Sequence, residues 1–282
     1  MVKKLGPFHR ASLQYFRHCL TYLDLGLAHF RLQQQTYRHF TMTLRTTPVL
    51  KAFGLAIGLT LGALAHAADP VTEAMQAANA PYRLALYKTN GKSQEEAMQA
   101  LVQAQQEWSK LSAQFAAKPS APYDRDPAFA ASVADITKVY ATALEEVKAN
   151  QLTPAHNTLE RVRDIMADMR QRNNVVVFSD HMNAYHSQME VLMIHGADTL
   201  ALPKGMLLLT AQTGALSYLA KQLGTQASDS LSKNAEFTTL LGAVKQSVAN
   251  LEAALLNQDA VAIKDALGKL KGPYSKIFAK FG

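Results

Sequence analysis

FAASVADITKVYATALEEVKANQLTPAHNTLERVRDIMADMRQRNN (129–174) and FTTLLGAVKQSVANLEAALLNQDAVAIKDALGKLKGPYSKIFAKFG (237–282) stand 108 positions apart and share one apolar pattern. Phe129, Val133, Ile136, Tyr140 and Val147 fall on Phe237, Leu241, Val244, Val248 and Leu255, and Leu159, Val162, Met166 and Met169 fall on Leu267, Leu270, Tyr274 and Ile277. Steps of three and four place each set on one face of a helix. Upstream, the same shift carries Leu101, Trp108, Leu111 and Phe115 onto Leu209, Leu216, Leu219 and Leu223. Apolar stripes recur in any helical protein, but a register kept through two loops is harder to reach by chance. Arg161-Val162-Arg163 beside Lys269-Leu270-Lys271 agrees with it, and Asn150-Gln151 beside Asn257-Gln258 agrees after a one-residue adjustment.

No segment alternates convincingly with period two, so every element is expected to be helical. The spacing predicts helices over 70–88, 93–115 and 127–150, then one from Thr153, read as an N-cap with Pro154 at the first helical position. A fifth contains HMNAYHSQMEVLMIHG (181–196); others follow over 206–223, over 234–257 and after Asp259, the last broken near Lys269 by Gly272-Pro273. The fold class is all-α, arranged as two tandem antiparallel four-helix units over 68–174 and 175–282. The competing reading is one irregular helical array whose register agrees by accident.

The segment PVLKAFGLAIGLTLGALAHAADP (48–70) has a basic entry at Arg45 and Lys51, an apolar run from Ala52 to Leu64 and a small-residue box, Ala65-His66-Ala67. That order matches a secretory signal peptide over 42–67, cleaved after Ala67, and its apolar run is too short for a membrane-spanning helix. Residues 1–41 then form an over-extended start or a leader outside the fold. A mitochondrial presequence is the rival, since residues 1–67 hold one acid, Asp24; the Ala-His-Ala box favours export to the periplasm, with no stable membrane insertion afterwards.

The formal charge of +7 invites a nucleic-acid reading. Residues 1–67 hold eight of the 29 basic and one of the 22 acidic residues, which leaves 21 of each in the remainder. A chain with no net charge carries no electrostatic footprint for DNA or RNA. The single cysteine, Cys19, also precedes the cleavage point, so the exported part has no disulfide, thiolate metal site or covalent haem link. No G-x-S-x-G, H-E-x-x-H or phosphate-cradling glycine loop occurs, and the pairs Glu95-Glu96 and Glu145-Glu146 read as solvated faces, so no enzyme is expected.

Phe178, Met182, His186, Met189 and Met193 are spaced four, four, three and four apart and so share a helix face, and six of the eight methionines after residue 67 fall between 166 and 206. Thioether and imidazole groups suit Cu(I) and also ligate haem iron, which makes Met182, His186, Met189 and Met193 the candidate metal ligands. The same spacing is what an ordinary core stripe requires, with methionine as filler. His181, Tyr185, Gln188 and His195 are placed on the polar shoulder of this helix, with Glu190 turned towards it. His156 is read as exposed, neutral and without a role, because a charged histidine in a first turn opposes the helix dipole.

Residues 237–282, a long helix ending in an Asn-containing turn followed by an Ala-rich helix with a basic, aromatic end, resemble the last two helices of the soluble cytochrome b562 family. The resemblance implies periplasmic four-helix bundles, with haem held between a methionine on the first helix and a histidine near the end of the last. Met182 matches the place of that methionine; Tyr274, Ile277 and Phe278 stand where the histidine falls. The expectation is therefore an exported, non-enzymatic helical protein with haem or copper as candidate ligand. The alternative is a periplasmic adaptor or chaperone that binds another protein and has no cofactor.

Overall fold

The computed structural model describes residues 69–91 and 93–282; the leader expected over 1–41 and the signal peptide expected over 42–67 lie outside them. Among the described residues every regular element is a helix: α1 (Pro70–Thr89), α2 (Gln94–Phe115), a 3-10 turn (Tyr123–Arg125), α3 (Phe129–Lys148), α4 (Leu152–Arg172), α5 (Phe178–Leu200), α6 (Gly205–Thr225), α7 (Asp229–Ser232), α8 (Ala235–Leu256), α9 (Ala260–Gly268) and α10 (Lys271–Phe281). None of them is long and apolar enough to cross a membrane.

Local chemistry sets the helix ends. Asp69 accepts from the Thr72 amide at 2.8 Å with Pro70 in the first turn, Ser93 caps α2 through the Glu96 amide, and Asn234 and Asp259 do the same for α8 and α9. Helices α3, α4 and α8 stop at left-handed residues, Asn150 (φ 57°), Asn174 (φ 55°) and Gln258 (φ 54°). After α3, the Asn150 and Gln151 amides donate back to the Val147 and Glu146 carbonyls; after α8, those of Gln258 and Asp259 donate to Leu255 and Ala254. The two exits coincide at the 108-residue interval, so Asn150 pairs with Gln258 and the one-residue adjustment read from sequence is not needed.

In packing, α1 lies on α2, α2 on α3, α3 on α4, and α4 returns to α1; α5 lies on α6, α6 on α8, α8 on α9 and α10, which return to α5. A single buried core runs through both sets, and α10 also rests on α1. Trp108 is buried, as its stripe position requires, and its indole N–H donates to the Val133 carbonyl at 3.3 Å. The buried faces of α1 and α5 coincide at a shift of 107: Met75 with Met182, Ala78 with Tyr185, Tyr82 with Met189, Ala85 with Leu192, and Thr89 with Gly196. Two glycines are set by close approach. A Cβ on Gly205 meets the Thr199 carbonyl oxygen at 2.0 Å in the α5–α6 turn, and one on Gly196 meets Leu267 Cδ1 at 2.8 Å where α5 crosses α9.

Four sequence expectations need correction. Helix α4 begins at Leu152 with Gln151 as its cap and no side-chain bond, so Thr153 is inside the first turn. Helix α3 is shorter than 127–150 because residues 126–128 form a loop in which Asp126 caps the Ala128 amide. The expected last helix is two helices, since Pro273 has no amide hydrogen to carry α9 onward. The single turn α7 carries no apolar periodicity, which is why the pattern missed it.

Candidate functional site

Met182 and Met189 are fully buried on α5, His186 is 6% exposed, and Met193 is half-buried. The sequence-derived stripe is thus an inner face. What surrounds His186, however, is ionic. Arg163 on α4 donates from Nη1 to His186 Nδ1 at 3.0 Å, and His186 Nε2 stands 3.5 Å from Glu190 Oε1. Because guanidinium nitrogens only donate, Nδ1 holds a lone pair and the ring proton sits on Nε2, facing the carboxylate. The Tyr274 ring of α10 lies over the imidazole at 5.2 Å, and its hydroxyl donates to the Met182 carbonyl.

A second histidine completes the seam between α1, α4, α5 and α10. His156 is 9% exposed, not solvent-facing, because α4 packs its first turn against the end of α1. Its Nδ1–H donates to the Leu86 carbonyl at 3.0 Å, while Nε2 accepts from the Asn90 amide group at 3.1 Å and lies 3.6 Å from Glu160. The two rings therefore hold opposite tautomers, each with a glutamate four residues on. Tyr82 closes the wall from α1, donating to the Leu159 carbonyl. His156, Glu160, Arg163, His186, Lys271 and Tyr274 surround a cavity of about 30 Å³, room for one water.

Electrostatics follow from this enclosure. Burial, reinforced by Arg163, Lys271 and His156, pushes the His186 pKa down to about 2. Burial also lowers that of His156, against the pull of Glu160. Glu190 is raised, first by burial and then by Glu160. At neutral pH both imidazoles are uncharged, and Arg163 and Lys271 balance Glu160 and Glu190.

Ligand atoms of Glu160, His186 and Glu190 lie within 4.8 Å of one another, a spacing that suits a cation. Arg163 already supplies that cation. A metal on His186 Nε2 would force the ring proton to Nδ1, where it would meet the Arg163 donor. The present arrangement therefore does not fit a metal at His186, and a 30 Å³ cavity is far below the several hundred Å³ of a cofactor pocket.

Sequence reading missed Arg163 and the burial of His156 and Tyr185, and it turned Glu190 outward. One signal was available: His156, Arg163 and Arg170 are seven apart, hence on one line of α4 beside its apolar stripe, and all three are buried. Arg170 grips Asp180 with Nε and Nη2 across the α4–α5 turn, while Asp180 also accepts from the Val177 amide. His181 is half-buried and His195 exposed, so neither joins His186.

A different surface lies on the α5–α6 hairpin. Ile194 (64% exposed), Leu207 (68%) and Tyr218 (60%) face solvent together with Val191, Leu202 and Leu208. On α6, Leu207, Ala211, Gly214 and Tyr218 follow steps of four, three and four along the outer face, and no charged residue occurs from Gly205 to Ala220, between exposed Lys204 and Lys221. Comparison with protein-family models, with curated proteins and with solved structures finds no match to this chain.

Proposed function

We propose that this chain is an exported, non-enzymatic helical protein, built as two tandem four-helix units over 68–174 and 175–282, that works by holding another protein. The coincident helix exits at Asn150 and Gln258 and the two closed helix circuits support the duplication. The likeness of 237–282 to cytochrome b562 and the basic, apolar, Ala-His-Ala order of 45–67 support the compartment, which N-terminal sequencing of the exported protein tests by starting at Ala68. The observation that carries the docking reading is the uncharged outer face of α6. Large apolar side chains there stay in water although the core has places for such groups, and such faces mark contact sites. With Lys204 and Lys221 at its ends, the face fits a protein partner with an apolar centre and acidic flanks.

The test is crosslinking in periplasmic extract with wild type and with the pair Leu207→Glu and Tyr218→Glu, both exposed and so free of fold cost. Wild type is expected to give a discrete adduct that the double variant loses at unchanged melting temperature. An adduct of the same yield from both, or a purified wild type whose adduct is only a second copy of itself, overturns the reading.

A second reading keeps haem or copper on Met182, His186, Met189 and Met193. One observation favours it: Met182, Met189 and His186 are buried on one face of α5. It requires Arg163 to leave His186, and a protein that shows no Soret band with haem and no heat with Cu(I) removes it.

A further inference from the structure

We propose that α10 is a proton-sensitive latch: acidification that charges His156 and His186 loosens the seat of this C-terminal helix against α1, α4 and α5. The geometry places both imidazoles on α4 and α5 and makes Lys271, Tyr274, Ser275 and Phe278 of α10 the wall that closes the cavity over them. Facing the histidines are Glu160, Arg163 and Asp164 from α4, Glu190 from α5, Lys271 and Tyr274 from α10, and Tyr82, Thr89 and Asn90 from α1. Protonating both rings puts four cations in a seam whose nearest anions are Glu160 and Glu190. Asp164, half-exposed, is already paired with Arg163 Nε at 3.3 Å.

Helix α10 is the element free to answer. It is separated from α9 by the break before Lys271, it is only 11 residues long, and it brings the cation Lys271 to the histidines. Off its seat, a helix of that length does not hold its own hydrogen bonds, so release exposes its amides. The sign follows from linkage. Both histidine pKa values are lowered in the closed state, so the open state binds more protons, and closure weakens as pH falls below about 6.5. Glu190, raised in the closed state, works the other way and moderates the effect at lower pH. If release returns a histidine to its ordinary pKa, each contributes about 10-fold to the opening constant between pH 7.5 and 5.5, and both together about 100-fold.

Amide hydrogen exchange of the full chain at pH 7.5 and 5.5, corrected for intrinsic rates, reads this directly. Peptides from 271–282 are expected to lose between about 10-fold and 100-fold of their protection at pH 5.5 and to remain less protected than peptides from α2 and α3 at both values. His186→Gln should leave about 10-fold, and His156→Gln with His186→Gln should leave none. Protection of 271–282 that does not change with pH overturns the proposal, as does a full drop in the double variant. So does one common protection for α10, α2 and α3, since proton uptake would then accompany unfolding of the whole rather than release of a helix. The wild-type pattern alone decides the matter should the double variant not fold.

Discussion

Replacing Arg163 with methionine isolates the ionic part of the seam, because methionine keeps most of the apolar stem while removing the guanidinium. Arg163 has a side chain 10% exposed and donates to a histidine nitrogen that has no other donor in reach at 3.0 Å. A hydrogen bond from a charged donor to a buried acceptor is worth about 1.5–3 kcal/mol, and its loss leaves His186 Nδ1 unsatisfied. Glu160 and Glu190 also lose a neighbouring cation, but their side chains are 26% and 37% exposed, so water replaces much of that attraction. The expected cost is about 2–3 kcal/mol, read from urea unfolding at pH 7.5 as a lower midpoint with an unchanged slope. Nitrogen NMR of the same variant should show the His186 pKa rising from about 2 without reaching 6.5, since burial, the larger cause, remains. A stability change under about 0.5 kcal/mol, within the ordinary scatter of surface substitutions, would refute the view that Arg163 anchors the seam.

The same variant should bind Zn²⁺ through Glu160, His186 and Glu190 in a calorimetric titration where wild type shows no heat; binding by wild type would mean that the guanidinium does not hold the cation position. Gly196→Ala and Gly214→Ala make a matched pair. The first drives a methyl into Leu267 and should cost about 1–2 kcal/mol, whereas the second meets nothing within 4 Å and should gain about 0.5–1 kcal/mol in helix propensity, both read by chemical denaturation. Gln258→Gly should stabilise by about 1 kcal/mol, since only glycine holds φ near 54° without cost, and no gain would mean that the α8 exit relaxes elsewhere.

Much of the fold could be read in advance because its signals are local. Asp69-Pro70, Ser93 and Asp259 announce helix starts, and the stripe through Leu101, Trp108, Leu111 and Phe115 announces one inner face. His156 was misplaced because its position in a first turn argues for exposure, and only the end of α1 lying against it says otherwise. Glu190 and Tyr185 were misplaced for a related reason: α5 is packed on α6, α9 and α10 as well as against the seam, so its buried arc is wider than one stripe. Arg163 was overlooked because an arginine beside an apolar stripe ordinarily stretches out to water.

The amino-acid order alone decided that the described chain is helical, where most helices start and stop, and which side chains turn inward, because each of these depends on neighbours within about a turn. Tertiary structure decided what the inward-facing polar groups do. Whether His186 is a ligand or an acceptor depends on Arg163, 23 residues away, and on Tyr274, 88 residues away, and chain-distant groups enter one another's electrostatic field only after the helices pack.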